Sequence, residues 1–196
     1  GAMQVTGGYD TTSYRFPLGV VAGIVPMNFP AMIPWGWMVP LAIVCGNTVV
    51  LKASSQTPLT SMRMLELFYE EAGFPKGVVN IVTTSRKEGE VFLTDPRVKA
   101  VTFVGTTGAG KHIYSVAAAH GKRVQAQCEA KNHALLLADA NLEASTNAII
   151  NSTYGCAGMR CMALPVVCVE ESIADAFVAL LKKKAEALKI GCAYKE

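Results

Sequence analysis

The sequence predicts an α/β fold, a mostly parallel, doubly wound sheet with helices on both faces. Three observations carry that expectation. Short apolar runs rich in β-branched residues alternate with longer segments of helical periodicity, which is the pattern of linked βαβ units. The strand-like runs are apolar enough to be buried on both faces. Charged residues are only 17% of the 196, and hydrophobic residues are 51%, so the chain must cover much of itself or be covered by a further domain.

Each element follows in order. The run 18–25, LGVVAGIV, reads as a buried strand, and 31–46, AMIPWGWMVPLAIVCG, as a buried helix ending at Gly46. NTVVLK (47–52) is the next strand. A helix follows over 57–73, with Thr57 as N-cap, Pro58 at its first position, Gly73 past its end, and an apolar stripe of Leu59, Met62, Leu65 and Phe68 or Tyr69. GVVNIVT (77–83) is a strand, and a short helix spans about 87–93. VKAVTFVG (98–105) is a strand, and GAGKHIYSVAAAHG (108–121) is a helix ending at Gly121. RVQAQCE and HALLLAD are further strands, then a helix at 141–155, the strand LPVVCVEE, and a last helix capped by Ser172.

Several function classes fall away. The net charge is +3, and the basic residues are scattered apart from Lys182-Lys183-Lys184, which reads as the solvated face of the last helix, so nothing argues for nucleic acid. Six cysteines show no CxxC pair and no metal-ligand spacing with the three histidines, which points to free thiols in a reducing compartment: the cytoplasm, or the mitochondrial matrix of a eukaryote. No charge occurs from Phe16 to Leu51, a length that could cross a bilayer. Pro26, Pro30, Pro34 and Pro40 interrupt that run, and a proline inside a helix costs about 3 kcal/mol, so no membrane span is expected. The opening Gly-Ala-Met has the look of a protease scar, with no signal peptide after it.

The glycine turn in VTFVGTTGAGKH sits between a strand and a helix, where free N–H groups and the helix dipole bind phosphate. Gly105 to Lys111 spell the P-loop pattern G-x-x-x-x-G-K, but His112 stands where the metal-binding Ser or Thr belongs, and the G-x-G-x-x-G spacing is absent. A P-loop NTPase and a purely structural turn both stay open on these residues. Asn28 and Lys52 fall at strand ends, where open α/β sheets bind ligands, and Cys161 lies in a Gly-rich approach to a strand. Taken singly, each also reads as a turn residue, a solvated cation or a small core residue.

Together these segments resemble the aldehyde dehydrogenase superfamily, from Pro17 to about Gly191. PLGVVAGIVPMNFP, GNTVVLKASSQTPLT, EAGFPKGVVNIV, VTFVGTTGAG and GMRCMAL stand in that family's order and spacing. GKRVQAQCEAKNHALLLADANLE and RCMAL are most similar to its CoA-acylating methylmalonate/malonate semialdehyde dehydrogenases. The resemblance implies a Rossmann-like NAD(P)-binding domain over 17–155, after a scar and lead-in at 1–16, with the start of a catalytic domain at 156–196. It also implies a mechanism. Cys161 attacks an aldehyde as thiolate, and the Asn28 amide and the Cys161 backbone N–H hold the oxyanion, each such donor worth about 3–4 kcal/mol. Lys52 binds the adenosine ribose, and Thr106, flanked by Gly105 and Gly110, the pyrophosphate. Cys156 is read as helix packing.

The departures from the family are specific. Its hydrolytic members carry a glutamate base where this chain has Gln127, which fits transfer of the acyl group to CoA rather than to water. Glu129 stands where the family has glycine, and is expected either to act as a displaced base or to block the site; on a continuous strand, 127 and 129 would share a face. Ser55 replaces the glutamate of NAD-preferring members, so NAD is implied and NADP stays open. Arg160 offers a fork for the carboxylate of an acidic semialdehyde. Family chains are more than twice as long. The resemblance therefore implies a truncated form of a homo-oligomer, possessing the nucleophile but lacking the oligomerising strands, with an inert nucleotide-binding or self-associating fragment as the alternative.

Overall fold

The computed structural model describes residues 1–192. Two compact units divide after Cys128, the first Gly1–Cys128 and the second beginning at Glu129. The expected domain boundary at 155/156 falls inside the second unit.

In the first unit, β1 (Ala2–Thr6) and β2 (Tyr9–Thr12) pair antiparallel and are exposed along their whole length. The lead-in segment therefore holds a hairpin, turned at Gly7-Gly8, a dipeptide that favours the left-handed conformations of tight hairpin turns; Gly8 has φ 82°. Next come β3 (Val20–Ile24), a wide helical turn (Met32–Met38), α1 (Val39–Val44), β4 (Thr48–Lys52), α2 (Pro58–Glu70), β5 (Val79–Val82), a short 3-10 turn (Glu88–Glu90), α3 (Val91–Thr94), β6 (Val98–Val104), α4 (Thr107–Ala119) and β7 (Arg123–Gln127). The sheet order is β5-β4-β3-β6-β7, all parallel. This is the expected doubly wound, Rossmann-like arrangement, with its switch in winding direction between β3 and β6.

Alternation along each strand builds two cores. Val49, Leu51, Val79 and Val104 pack on one face with Ile33, Val39 and Phe68; Ala22, Val101 and Phe103 pack on the other with Leu93, Ile113 and Ala117. Helices α1 and α2 thus cover one face, and α3 and α4 the other. Gly73 and Gly121 follow α2 and α4 with φ 67° and 69°, as the sequence predicts.

Three local expectations change. The helix at 31–46 begins as a wide turn in which Val39 N–H reaches back five residues to Pro34 O, because the proline-rich run cannot supply a regular set of donors. In α2, Leu59 and Met62 are exposed, and the inward stripe is Ser61, Leu65 and Phe68. Ser61 takes that place because its hydroxyl donates to Pro30 O at 3.0 Å, satisfying a polar group that a count of apolar residues passes over. The last helix is capped at Glu170, not Ser172.

The second unit contains β8 (His133–Leu136), α5 (Leu142–Tyr154), a turn (Gly155–Gly158), β9 (Val166–Val169) and α6 (Glu171–Glu186). β8 and β9 pair in parallel, and Leu136, Ile149 and Phe177 form the core. Asn141 caps α5 by accepting from Ala144 N–H at 2.9 Å. No helix among the described residues is long and apolar enough to cross a membrane.

Lys122 is buried beneath the first sheet, and its ammonium donates to Asp95 O and to Val98 O, the latter at 2.6 Å. Burial pushes its pKa below the usual lysine value. Lys122→Met removes both bonds, leaving Asp95 O with its bond from Val98 N–H, and is expected to destabilise the chain by about 2 kcal/mol in urea unfolding, more than any exposed Lys→Met exchange.

Candidate functional site

Loops at the carboxyl ends of β3, β4, β5 and β6 form the open rim of the first sheet. After β3 the chain turns sharply at Phe29, whose φ of 56° is unusual for a bulky residue. The turn holds the half-buried Asn28 beside it. Two hydroxyls from α2 grip this turn on either side of Asn28: Thr57 Oγ1 donates to Met27 O at 3.1 Å, and Ser61 Oγ to Pro30 O at 3.0 Å. Thr57 stands at the N-cap position, as the sequence predicts, but its hydroxyl caps no helix N–H and holds the Asn28 loop instead.

Only Gly105 and Thr106 separate β6 from α4. The remaining residues of the G-x-x-x-x-G-K pattern lie within the helix, so they cannot wrap a phosphate as a P-loop does, and the NTPase reading fails on geometry. His112 Nε2 meets Glu90 Oε1 at 2.8 Å. A methyl group on Gly105 would lie 2.6 Å from the Phe103 ring, and one on Gly110 would lie 2.3 Å from Cys128 Sγ. These two glycines let α4 settle onto β6 and β7. Gly108 in the first turn of α4 is exposed, with open space above it, so there the backbone can approach a ligand closely.

Between that turn and the end of β4 lies a cavity of about 320 Å³. Lys52, Ser55, Thr84, Arg86, Phe103 and His112 are among its walls. The Lys52 stem passes close to Gly89, where a Cβ would sit 3.2 Å from Lys52 Cε. Sequence reasoning found Lys52 and Ser55, but not Thr84, Arg86, Glu90 or His112. Thr84, Arg86 and Glu90 lie in no glycine-rich or proline-framed stretch that would have marked them, and His112 drew notice only as a departure from the P-loop pattern.

In the second unit, Cys161 is exposed on the turn before β9. Asn132 holds that turn, its Nδ2 donating to Cys161 O at 2.8 Å and to Ala163 O at 2.9 Å. Thr153 of α5 donates to Leu164 O at 2.8 Å. Neither residue was singled out from sequence, because the amide and hydroxyl act on backbone atoms some distance along the chain. Arg160 Nε donates to Cys156 Sγ at 3.3 Å, and its guanidinium lies over Gly155. Cys156 is exposed and left-handed (φ 53°) in the turn after α5, so it is not helix packing. Glu129 is exposed and lies beyond β7, which ends at Gln127, so the shared strand face expected for 127 and 129 does not form. No cluster of three metal-ligating side chains occurs among the described residues.

The aldehyde dehydrogenase family model matches residues 2–196. The chain belongs to the aldehyde dehydrogenase family. Its curated relatives include malonate-semialdehyde dehydrogenase 1 of Oceanobacillus iheyensis, 49% identical over 188 residues, covering 96% of this chain and 38% of the relative. The enzyme of that name from Bacillus cytotoxicus is 48% identical over 193 residues, covering 98% and 39%. The aldehyde dehydrogenase fold is matched by a Sinorhizobium meliloti protein described as a methylmalonate-semialdehyde dehydrogenase and solved with NAD. That structure has a TM-score of 0.92 and 40% identity, covering all of this chain and 40% of its own. The corresponding enzyme of Oceanimonas doudoroffii gives 0.87 and 44% identity, covering 92% of this chain and 37% of its own. The chain thus spans about two fifths of the length of the relatives it matches.

Two expectations follow for this aldehyde dehydrogenase chain. Gly110→Ala forces a methyl against Cys128 Sγ and is expected to destabilise by about 2 kcal/mol in thermal or urea unfolding. Combining it with Cys128→Ala should recover much of that loss, since the pair is in contact. Asn132→Ala frees the carbonyls at 161 and 163, and amide exchange across 160–164 should speed at least about tenfold, with α6 unchanged.

Proposed function

We propose that this chain is the cofactor-binding portion, with the nucleophile, of an NAD-dependent, CoA-acylating semialdehyde dehydrogenase. The observation that carries the reading is the walled cavity at the carboxyl ends of the strands, with Lys52 and Ser55 on one side and Ala109, His112 and Ile113 of α4 on the other. Its residues fit a dinucleotide. Lys52 and Ser55 suit a ribose, while the first turn of α4, entered through Gly105 and Thr106 and open above Gly108, suits a pyrophosphate. Gly110 supports that turn from within by letting Cys128 pack behind it. Bound there, NAD supplies the acceptor for a hydride.

Cys161 is the proposed nucleophile. Its thiolate bonds to the aldehyde carbon, and the carbonyl oxygen takes the negative charge, held by the Asn28 amide and the Cys161 N–H. Loss of hydride from that carbon re-forms the carbonyl as a thioester on Cys161. Gln127 cannot activate water, so the thiol of CoA accepts the acyl group and Cys161 is released. Arg160, half-buried beside the nucleophile in sequence, is proposed to receive the substrate carboxylate. Glu129 lies outside the strand, a placement that favours a displaced base over an obstruction.

A second reading rests on Leu135 and Leu137, which are 77% and 59% exposed on and just past β8. Apolar surface of that kind favours a nucleotide-binding chain that self-associates without turning over. Rapid mixing with NAD⁺ and malonate semialdehyde separates the two. The enzyme reading expects a stoichiometric burst of NADH that vanishes in Cys161→Ala, whereas nucleotide binding without a burst, in a chain that elutes as an oligomer, would leave only the second.

A further inference from the structure

Arg160 rests in a seat made by the end of α5. Its Nε–H donates to Cys156 Sγ at 3.3 Å. Its guanidinium lies over Gly155: a Cβ there would be 2.7 Å from Arg160 Cζ, 2.7 Å from Nη2 and 3.0 Å from Nη1. Such near-equal distances set the planar group face-on to the Gly155 backbone. Gly155 has φ −56° and ψ 141°, angles that any residue adopts, so the space above it and not its conformation calls for glycine.

The turn that follows bends the chain back over that point. Cys156, Ala157 and Gly158 are all left-handed, with φ of 53°, 54° and 72°. Met159 N–H closes the turn on Cys156 O at 3.1 Å. The left-handed conformation is costly for Cys156 and Ala157, which carry a Cβ. With it, the Cys156 sulfur meets the Nε of a residue four places on.

A thiol sulfur is a weak, uncharged acceptor. It orients the guanidinium without neutralising it, where a carboxylate in its place would occupy the fork. The C-terminus of α5, at Tyr154, favours a cation on the same spot through its helix dipole. With Nε turned to sulfur, the Nη1 and Nη2 edge keeps the paired N–H groups that match a carboxylate. Cys161 is the next residue along the chain.

We propose that Gly155 and Cys156 are positioning residues that set the preference for an acidic aldehyde: they hold the Arg160 guanidinium with its Nη edge free for the substrate carboxylate. The inference rests on the assignment of that carboxylate to Arg160, and adds the two neighbours that aim it. A neutral aldehyde makes no use of the seat.

Kinetics and NMR of the 196-residue chain test it. Cys156 is exposed, so Cys156→Ala spares the fold, and the methyl of Gly155→Ala meets only a movable side chain. Either variant should lower the ratio of kcat/KM for malonate semialdehyde to that for propanal about tenfold, through KM rather than kcat. Cys156→Ser, whose hydroxyl accepts the same N–H, should restore the ratio. By NMR, the Arg160 Nε–H should exchange slowly in the parent chain and in Cys156→Ser, and quickly in both alanine variants. Malonate should shift that signal in the parent chain at lower concentration than in either alanine variant. If NADH forms and the acid-to-neutral ratio is unchanged in both alanine variants, the seat is overturned while the enzyme reading survives. If no aldehyde yields NADH, the enzyme reading fails and malonate decides the seat: weaker binding to both alanine variants upholds it, and equal binding or none overturns it.

Discussion

A parallel sheet whose strands are apolar on both sides cannot present either face to water. That constraint organises the first unit. Val49 and Leu51 point to one side of β4 and Val50 to the other, so helices must cover both, and the crossovers must change direction once. The change falls between β3 and β6. With both faces closed, the open places for a ligand are the ends of the strands. The loops bearing Asn28, Lys52, Thr84 and Gly105 all leave from the carboxyl ends.

Much of this architecture is legible in the residues. The apolar runs of β3, β4 and β6, the proline opening α2 and the glycines closing α2 and α4 mark their elements directly, because each is a local cause with a local effect. Ser61 shows where such reading stops. Counting apolar residues along α2 selects Leu59 and Met62, yet the helix is rotated so that a serine is inside, held there by a carbonyl on another loop. A bond to a distant backbone atom leaves no periodic trace. Asn132 and Thr153 in the second unit are missed for the same reason.

The site divides along similar lines. Lys52, Asn28 and Cys161 stand in segments whose order and spacing are distinctive, which is why the sequence singles them out. Arg86 comes from the loop after β5, Glu90 from a short 3-10 turn and His112 from the middle of α4, and only the folding of α3 and α4 onto one face brings them to a common cavity. Gly105 and Gly110 show the converse. Their spacing suggests phosphate contact, but each is a glycine because an aromatic ring or a sulfur atom occupies the space a side chain would need. A motif can thus be read in the right place for an incomplete reason.

The segment leading into α2 serves two masters. Ser55 lines the cavity beside Lys52, and two residues later the Thr57 hydroxyl steadies the carbonyl next to Asn28. Changes at Ser55 that reshape the cavity will therefore also nudge the loop that carries Asn28. In a laboratory evolution campaign, the cavity wall and the Asn28 loop would not vary independently: variants selected at 54–57 should need compensating changes at 27–30 or at Ser61 before that loop recovers its place.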